Sequence, residues 1–124
     1  MGLFDKSPKV TTESKIDWNA LTEIKQLDAI VAESFSTPAV IFKHSTRCGI
    51  SRMALRGFEV DFDPEDGIKP YYLDLLHHRE LSNAVAEQFR VWHQSPQILL
   101  IKNGICIFDT SHGDIDATRL ANKL

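Results

Sequence analysis

Short apolar runs separated by stretches of helical spacing are the feature that most constrains how this chain can fold. The runs are Ala39–Lys43 (AVIFK), Pro70–Leu75 (PYYLDL) and two neighbouring segments, QILLIK at 97–102 and ICIF at 105–108. Short runs that are rich in β-branched and aromatic residues predict strands inside a sheet, buried on both faces. The Asn103-Gly104 pair between the last two segments predicts a hairpin with a two-residue turn.

Apolar residues at intervals of three or four positions predict amphipathic helices between these strands. The predicted helices run from Leu21 to Phe35, from Cys48 to Glu59, and through Leu81 to Phe89. A last helix is predicted after Ser111, because Asp114 stands where a capping box places its acid. With a short strand near Ile16 to Trp18, the order becomes strand, helix, strand, helix, strand, helix, strand, strand, helix.

This order predicts an α/β fold with a central mixed β-sheet flanked by helices on both faces. The layout resembles the thioredoxin fold. A chain of 124 residues can bury a core without a disulfide or a metal ion. We therefore expect a single thioredoxin-like domain over residues 16–124. Residues 1–15 are polar and rich in Ser, Thr and Lys, and are expected to form a flexible tail.

The composition argues against a membrane protein, a secreted disulfide scaffold and a nucleic-acid-binding protein. No apolar run approaches the roughly 18 residues that span a bilayer. The net charge of −3 does not suit nucleic acid as a partner. The two cysteines, Cys48 and Cys106, form no CxxC pair, so a reducing compartment, the cytoplasm, is expected.

Most residues that could bind a metal, and one of the two cysteines, are expected to be structural. The histidines His77, His78, His93 and His112 are scattered, without ligand spacing to a cysteine pair. The acidic segment Asp61–Gly67 resembles a calcium loop only superficially, because Asp66 occupies the position that requires glycine. No metal site is predicted. Cys106, between two isoleucines in a predicted strand, is expected to be an unreactive core residue.

Cys48 differs from Cys106 in its surroundings, because it follows a buried strand at the start of the next helix. Free backbone N–H groups and the positive end of the helix dipole favour thiolate over thiol at such a position. The 25 residues between Glu33 and Glu59 contain no acid, although 17 acids in 124 residues would place about three there. The basic residues of this window are Lys43, Arg47, Arg52 and Arg56. The pattern predicts that Cys48 is a nucleophile.

Ser51 occupies the position, three residues after Cys48, where a dithiol redox protein carries its second cysteine. The predicted site therefore has one thiol, and a mixed disulfide formed on it would need an external thiol for release. Two interpretations of Ser51 remain open. Its hydroxyl group either hydrogen-bonds the thiolate or faces solvent in the first turn of the helix.

Four stretches of the chain resemble the YtxJ-like monothiol bacilliredoxin family. They are FKHSTRCGISRMAL at 42–55, YLDLLHHRELSNAVAEQF at 72–89, HQSPQILLIKNG at 93–104 and SHGDI at 111–115. The resemblance covers the chain from about Ile16 to its end. It implies a thioredoxin fold and a thiol-disulfide oxidoreductase whose single cysteine removes a low-molecular-weight thiol, bacillithiol, from mixed disulfides with proteins. S-thiolated proteins and the small thiol would be its partners and substrates, and no bound cofactor is implied.

The resemblance also assigns roles to individual residues. Cys48 would be the nucleophile, Ser51 would fill the slot of the missing resolving cysteine, and Pro96 would be the cis-proline. Ser95, just before it, would offer its backbone to a substrate strand. The family motif usually reads TCPIS, and here Gly49 replaces the proline, which predicts a looser start of the helix.

The basic window suits an anionic thiol. Bacillithiol carries carboxylates on a malate group, to which Arg47, Arg52, Lys43 and His44 could donate charge-assisted hydrogen bonds. A thiol resembling glutathione or coenzyme A would be attracted by the same charges.

Two alternatives remain. Residues 48–51 (CGIS) also resemble the CGFS motif of monothiol glutaredoxins, which hold [2Fe–2S] clusters between two protomers with small thiols. The protein would then be a cluster carrier, although the HSTR lead-in and the LDLL and HxSPQ blocks favour the bacilliredoxins. A noncatalytic interaction module would require Cys48 to be unreactive.

Overall fold

The computed structural model describes residues 16–124, so the predicted tail, residues 1–15, lies outside the described residues. The strands are β1 (Asn19–Ala20), β2 (Ala39–His44), β3 (Lys69–Asp74), β4 (Gln97–Lys102) and β5 (Ile105–Ser111). The α-helices are α1 (Gln26–Glu33), α2 (Gly49–Asp61) and α3 (Arg79–Phe89). Short 3₁₀ turns cover Pro64–Asp66, His112–Asp114, Ala117–Arg119 and Ala121–Lys123.

The five strands form one mixed sheet in the order β1-β3-β2-β4-β5. β1, β3 and β2 are parallel, whereas β4 runs antiparallel to β2 and β5 antiparallel to β4. β2 is paired on both sides, and all of its residues are buried. The continuous apolar run in the sequence reflects this central position, since neither face of the strand meets water.

Helices cover both faces of the sheet and divide the core into two layers. On one face, α1 and α3 pack over a cluster that includes Ile30, Ile41 and Val85. On the other face, α2 and the C-terminal turns pack over a cluster that includes Phe42 and Phe58. Successive side chains of a strand point to opposite faces, so Ile41 and Phe42 belong to different layers. The predicted α/β fold, a mixed sheet between helices, is confirmed.

The two ends of the described chain differ from the prediction. After Ser111 the chain forms 3₁₀ turns, so the prediction of a final α-helix is wrong. The Ser111 side chain makes no capping hydrogen bond. The Asp116 carboxylate instead accepts the Thr118 N–H, so the capped turn begins five residues later than predicted. At the other end, the short strand β1 lies at Asn19–Ala20 and not near Ile16 to Trp18. Helix α1 begins at Gln26 and not at Leu21, because the N–H groups of residues 22 and 23 donate to the Gln26 side chain in an earlier turn.

The hairpin between β4 and β5 is confirmed. Asn103 and Gly104 have φ angles of 55° and 82°, the left-handed conformation that a two-residue turn of this kind requires at both central positions. Ser34, at the end of α1, binds this turn through two hydrogen bonds: its carbonyl oxygen accepts the Asn103 N–H and its Oγ accepts the Gly104 N–H.

Candidate active site

Cys48 lies between the end of β2 and the first residue of α2. Its backbone is extended (φ −104°, ψ 123°), which makes it the N-cap residue of the helix. The Cys48 N–H donates to Ser45 O at 3.1 Å, and its carbonyl oxygen accepts the Arg52 N–H at 3.0 Å. The thiol is half-buried, and within residues 16–124 its Sγ takes part in no hydrogen bond. The backbone at this position is therefore fixed while the sulfur remains partly exposed.

Ser51 is fully buried beneath the start of α2, and its hydroxyl group is engaged elsewhere than at the thiol. Its Oγ accepts the Ser45 N–H at 3.0 Å and lies 2.8 Å from His44 Nδ1. Burial lowers the pKa of His44; the charge of Asp74 raises it and the charge of Arg52 lowers it, and the net pKa lies below the usual value. The ring is therefore neutral at pH 7 and can accept the Ser51 proton. Neither sequence interpretation of Ser51 describes this arrangement, because the hydroxyl group joins the first turn of α2 to the end of β2.

Ser95 and Pro96 lie immediately before β4, and the peptide bond between them is cis. Pro96 is buried and its carbonyl oxygen accepts the His112 N–H at 3.0 Å, whereas Ser95 is half-buried. The next residue, Gln97, is the register partner of Lys43 near the end of β2. Ser95 therefore lies at the end of the sheet from which the chain leads into Cys48.

The four basic residues of the acid-free window do not form one surface. Arg47, Arg52 and Arg56 are exposed on or beside α2. Lys43 is fully buried, because its place in β2 puts it on the face of Ile41, away from the face that α2 covers. Its Nζ lies 3.2 Å from His93 Nδ1, and burial lowers the pKa of its ammonium group to about 8. Of these four basic residues, only the three arginines can contact a ligand at the protein surface.

The HxSPQ block contributes two further polar residues near the site, Gln97 and His93, to which the sequence assigned no role in the reaction. Gln97 is buried, and its side chain binds the backbone of residues 92 and 94. His93 contacts Lys43 and lies 3.4 Å from Ser82 Oγ on α3. The lysine that closes an apolar strand was a second signal in the sequence, since a buried charge needs a polar partner from elsewhere in the fold.

Cys106 lies on β5 and packs against the core layer of α1 and α3. Its Sγ donates to Phe108 O at 3.4 Å. Burial raises the pKa of this thiol to about 11, so it stays protonated at neutral pH. The expectation of an unreactive cysteine in the core agrees with this setting, although Cys106 is only partly buried.

Within residues 16–124, no cluster of three or more His, Cys, Asp or Glu side chains could hold a metal ion. None of the helices in that part of the chain is long and apolar enough to cross a membrane.

A half-buried cysteine between a central strand and its following helix, on this sheet, defines the thioredoxin-like class of proteins. Solved structures agree with that class. A putative oxidoreductase with a thioredoxin fold shares 31% identity at a TM-score of 0.72, over 84% of this chain and 90% of that one. The thioredoxin of Malassezia sympodialis shares 18% identity at 0.66, over 90% and 91% of the two chains. The thioredoxin of Trypanosoma brucei brucei shares 16% identity at 0.66, over 91% and 92%. The last two comparisons show the fold.

The family follows from a match to residues 19–120, which fit the family described as "Monothiol bacilliredoxin BrxC". The chain belongs to the monothiol bacilliredoxin family and is a thiol-disulfide oxidoreductase.

Proposed function

We propose that this protein uses Cys48 to remove a low-molecular-weight thiol, bacillithiol, from mixed disulfides with other proteins. The observation that carries the proposal is that the partly exposed Cys48 is followed, three residues later, by a buried serine at the position where a dithiol enzyme has its second cysteine. S-thiolated proteins are then the substrates. The reducing cytoplasm is the proposed compartment, in keeping with the two free cysteines.

The reaction proceeds by thiol-disulfide exchange in two steps. In the first, the Cys48 thiolate attacks the small-thiol sulfur of the mixed disulfide. A bond forms between Cys48 and the small thiol, the old disulfide breaks, and the substrate protein leaves as a thiolate that takes a proton from water. In the second, an external thiolate attacks the adduct, which releases Cys48 and carries the oxidising equivalents away as a small disulfide.

Ser51 makes the second step depend on the external thiol. A hydroxyl group cannot attack a disulfide under these conditions, and this one is committed to Ser45 and His44. The adduct on Cys48 therefore persists until a small thiol arrives, which is the behaviour of a monothiol enzyme.

Arg47 and Arg52 support an anionic substrate. Both are exposed, Arg47 precedes Cys48 directly, and the Arg52 N–H bonds to the Cys48 carbonyl oxygen in the first turn of α2. Guanidinium groups bind carboxylates with two parallel hydrogen bonds, which suits the malate group of bacillithiol. Lys43 is left out of this binding set because its side chain is buried, and Ser95 is assigned to the pairing with protein substrates.

The test is incubation of the pure protein with a bacillithiolated substrate protein, followed by mass spectrometry of both chains. We expect the substrate to lose the adduct and Cys48 to gain it. Cys48→Ser should abolish the transfer, while Cys106→Ser, the matched control, should leave it unchanged. Modification of Cys106 alone would contradict the proposal. A visible absorption band in freshly purified protein that disappears in Cys48→Ser would favour the iron-sulfur carrier instead.

A further inference from the structure

Lys43 is an unexpected residue for the interior of this sheet. Its side chain is fully buried near the end of β2. An ammonium group is costly to bury unless an acid or a strong hydrogen-bond acceptor compensates its charge. In the described part of the chain no carboxylate forms an ion pair with Lys43, and its polar contact is His93 Nδ1 at 3.2 Å. A leucine would fill this position without that cost, so packing does not explain the lysine.

The contact fixes the state of the His93 ring. Since an ammonium group can only donate, Nδ1 must be an unprotonated acceptor, and the proton of the neutral ring sits on Nε2. Burial lowers the pKa of His93, and the charges of Lys43 and Arg79 lower it further, so the ring is neutral at pH 7. Ser82 Oγ, from α3, lies 3.4 Å from the same nitrogen.

Gln97 holds the same loop from the neighbouring strand. It is the register partner of Lys43, and like Lys43 it is buried. Its Nε2 donates to Trp92 O at 2.9 Å, and its Oε1 accepts the Gln94 N–H at 3.3 Å. Two paired, buried polar side chains therefore hold three consecutive loop residues, 92 to 94, just before Ser95.

We propose that Lys43 is a positioning residue for the reaction with protein disulfides: through His93 it fixes the loop that leads into Ser95. The role rests on the proposed function, because it matters only where a substrate strand pairs at Ser95. A loop that is ordered before binding loses less conformational entropy when the substrate docks, so the protein substrate binds more tightly. A small disulfide does not pair along the loop and gains nothing from its order.

The test compares Lys43→Met with Lys69→Met. Methionine is unbranched and only one heavy atom shorter than lysine, and it removes the donor. Lys69 lies at the opposite end of the sheet, opposite Ala39, and pairs with Glu33 on the surface, so it is the matched control. The first readout is structural: hydrogen exchange of the amides of residues 92 to 95, together with the NMR shifts of the His93 ring nitrogens. The second is kinetic: kcat/KM measured once with a bacillithiolated protein and once with a small disulfide.

For Lys43→Met we expect exchange in the loop to rise about tenfold and the Nδ1-acceptor signature of His93 to weaken, since Ser82 Oγ stays near the same nitrogen. We also expect kcat/KM to fall about tenfold for the protein disulfide, mostly through KM, and to change less than about twofold for the small disulfide. Lys69→Met should change none of these. Unchanged loop exchange, or equal losses with both disulfides, would overturn the positioning role.

His93 provides a second comparison if Lys43→Met does not fold. His93→Gln keeps an acceptor for Lys43 and should retain the loop order and the activity with protein, whereas His93→Leu should lose both. Equal behaviour of these two variants would also overturn the role. A wild-type protein that is inactive with both disulfides would refute the proposed function together with this role, while an active wild type with an unaltered loop in the variants would refute this role alone.

Discussion

Ser51 Oγ lies 2.8 Å from His44 Nδ1, and this contact joins the first turn of α2 to the last residue of β2. Ser51 stands three residues after Cys48, where a dithiol redox protein carries its second cysteine. Here it is a structural element, because its hydroxyl group also accepts the Ser45 N–H from the turn that carries Cys48. The position of Cys48, the proposed nucleophile, thus depends on the Ser51 oxygen atom.

Replacement of Ser51 should therefore lower stability. Ser51→Ala leaves the Ser45 N–H and His44 Nδ1 without their partner in a buried place, which costs about 1–3 kcal/mol in the free energy of unfolding. Urea denaturation measures this loss. The control is Ser36→Ala, since Ser36 is exposed and its hydroxyl donates to Glu33 O, and it should change stability by less than about 0.5 kcal/mol. Equal stability of the two variants would contradict the structural role of Ser51.

Lys43 should make the stability depend on pH above neutrality. Its pKa falls from 10.5 to about 8 on folding, so between these values the unfolded chain binds more protons than the folded one. The free energy of unfolding then rises with pH across this window, by about 3 kcal/mol in total.

The measurement is the difference between wild type and Lys43→Met from pH 7 to 10. The difference is needed because Cys106 and Tyr72, whose pKa values rise to about 11 and about 12, act in the opposite direction at high pH. The groups near Lys43, namely His93, Arg79 and Ser82, are kept in both proteins. A difference that does not vary with pH would show that the ammonium group is not desolvated.

Gly49→Pro should stabilise the protein by about 0.4–1 kcal/mol, because proline restricts the unfolded chain and suits the first position of a helix. A Cβ atom added at Gly49 would meet no atom within 4 Å beyond its chain neighbours and the nearby backbone of its own helix, and Cys48 already has the extended conformation that precedes proline. Thermal denaturation tests the gain. Gly67→Ala is the contrast, since its φ of 75° should make it destabilising. A loss of stability in Gly49→Pro would mean that the helix start differs from the one described.

Arg47 and Arg52 should act through charge. Changing both to Gln should slow the attack of Cys48 on an anionic mixed disulfide more than on a neutral one, and added salt should reduce the gap. Stopped-flow kinetics at two ionic strengths measures both effects. Lys69→Gln removes a charge at the other end of the sheet and should leave the ratio unchanged. Equal slowing with both substrates would refute the electrostatic role.

The sequence predicted the central strands and the hairpin well, because burial on both faces and a turn that needs left-handed residues leave strong local patterns. It could not show which face of β2 meets α2, and so it grouped Lys43 with the arginines. The contact between His93 and Lys43 joins residues 50 positions apart, and no local spacing encodes it. The prediction of a final α-helix was wrong because Ser111 makes no capping hydrogen bond, whereas Asp116 caps a separate 3₁₀ turn.

The separation of the two cysteines has a consequence for survival under oxidative stress. Cys48 begins the helix on one face of the sheet, whereas Cys106 packs in the layer on the other face. Cys48 and Cys106 therefore cannot form an internal disulfide that would protect Cys48 from oxidation. Under excess peroxide, an uncapped Cys48 would advance to sulfinic acid, which most cells cannot reverse. Under the proposed function, the small thiol bound to Cys48 during the reaction would also protect that sulfur from this irreversible damage.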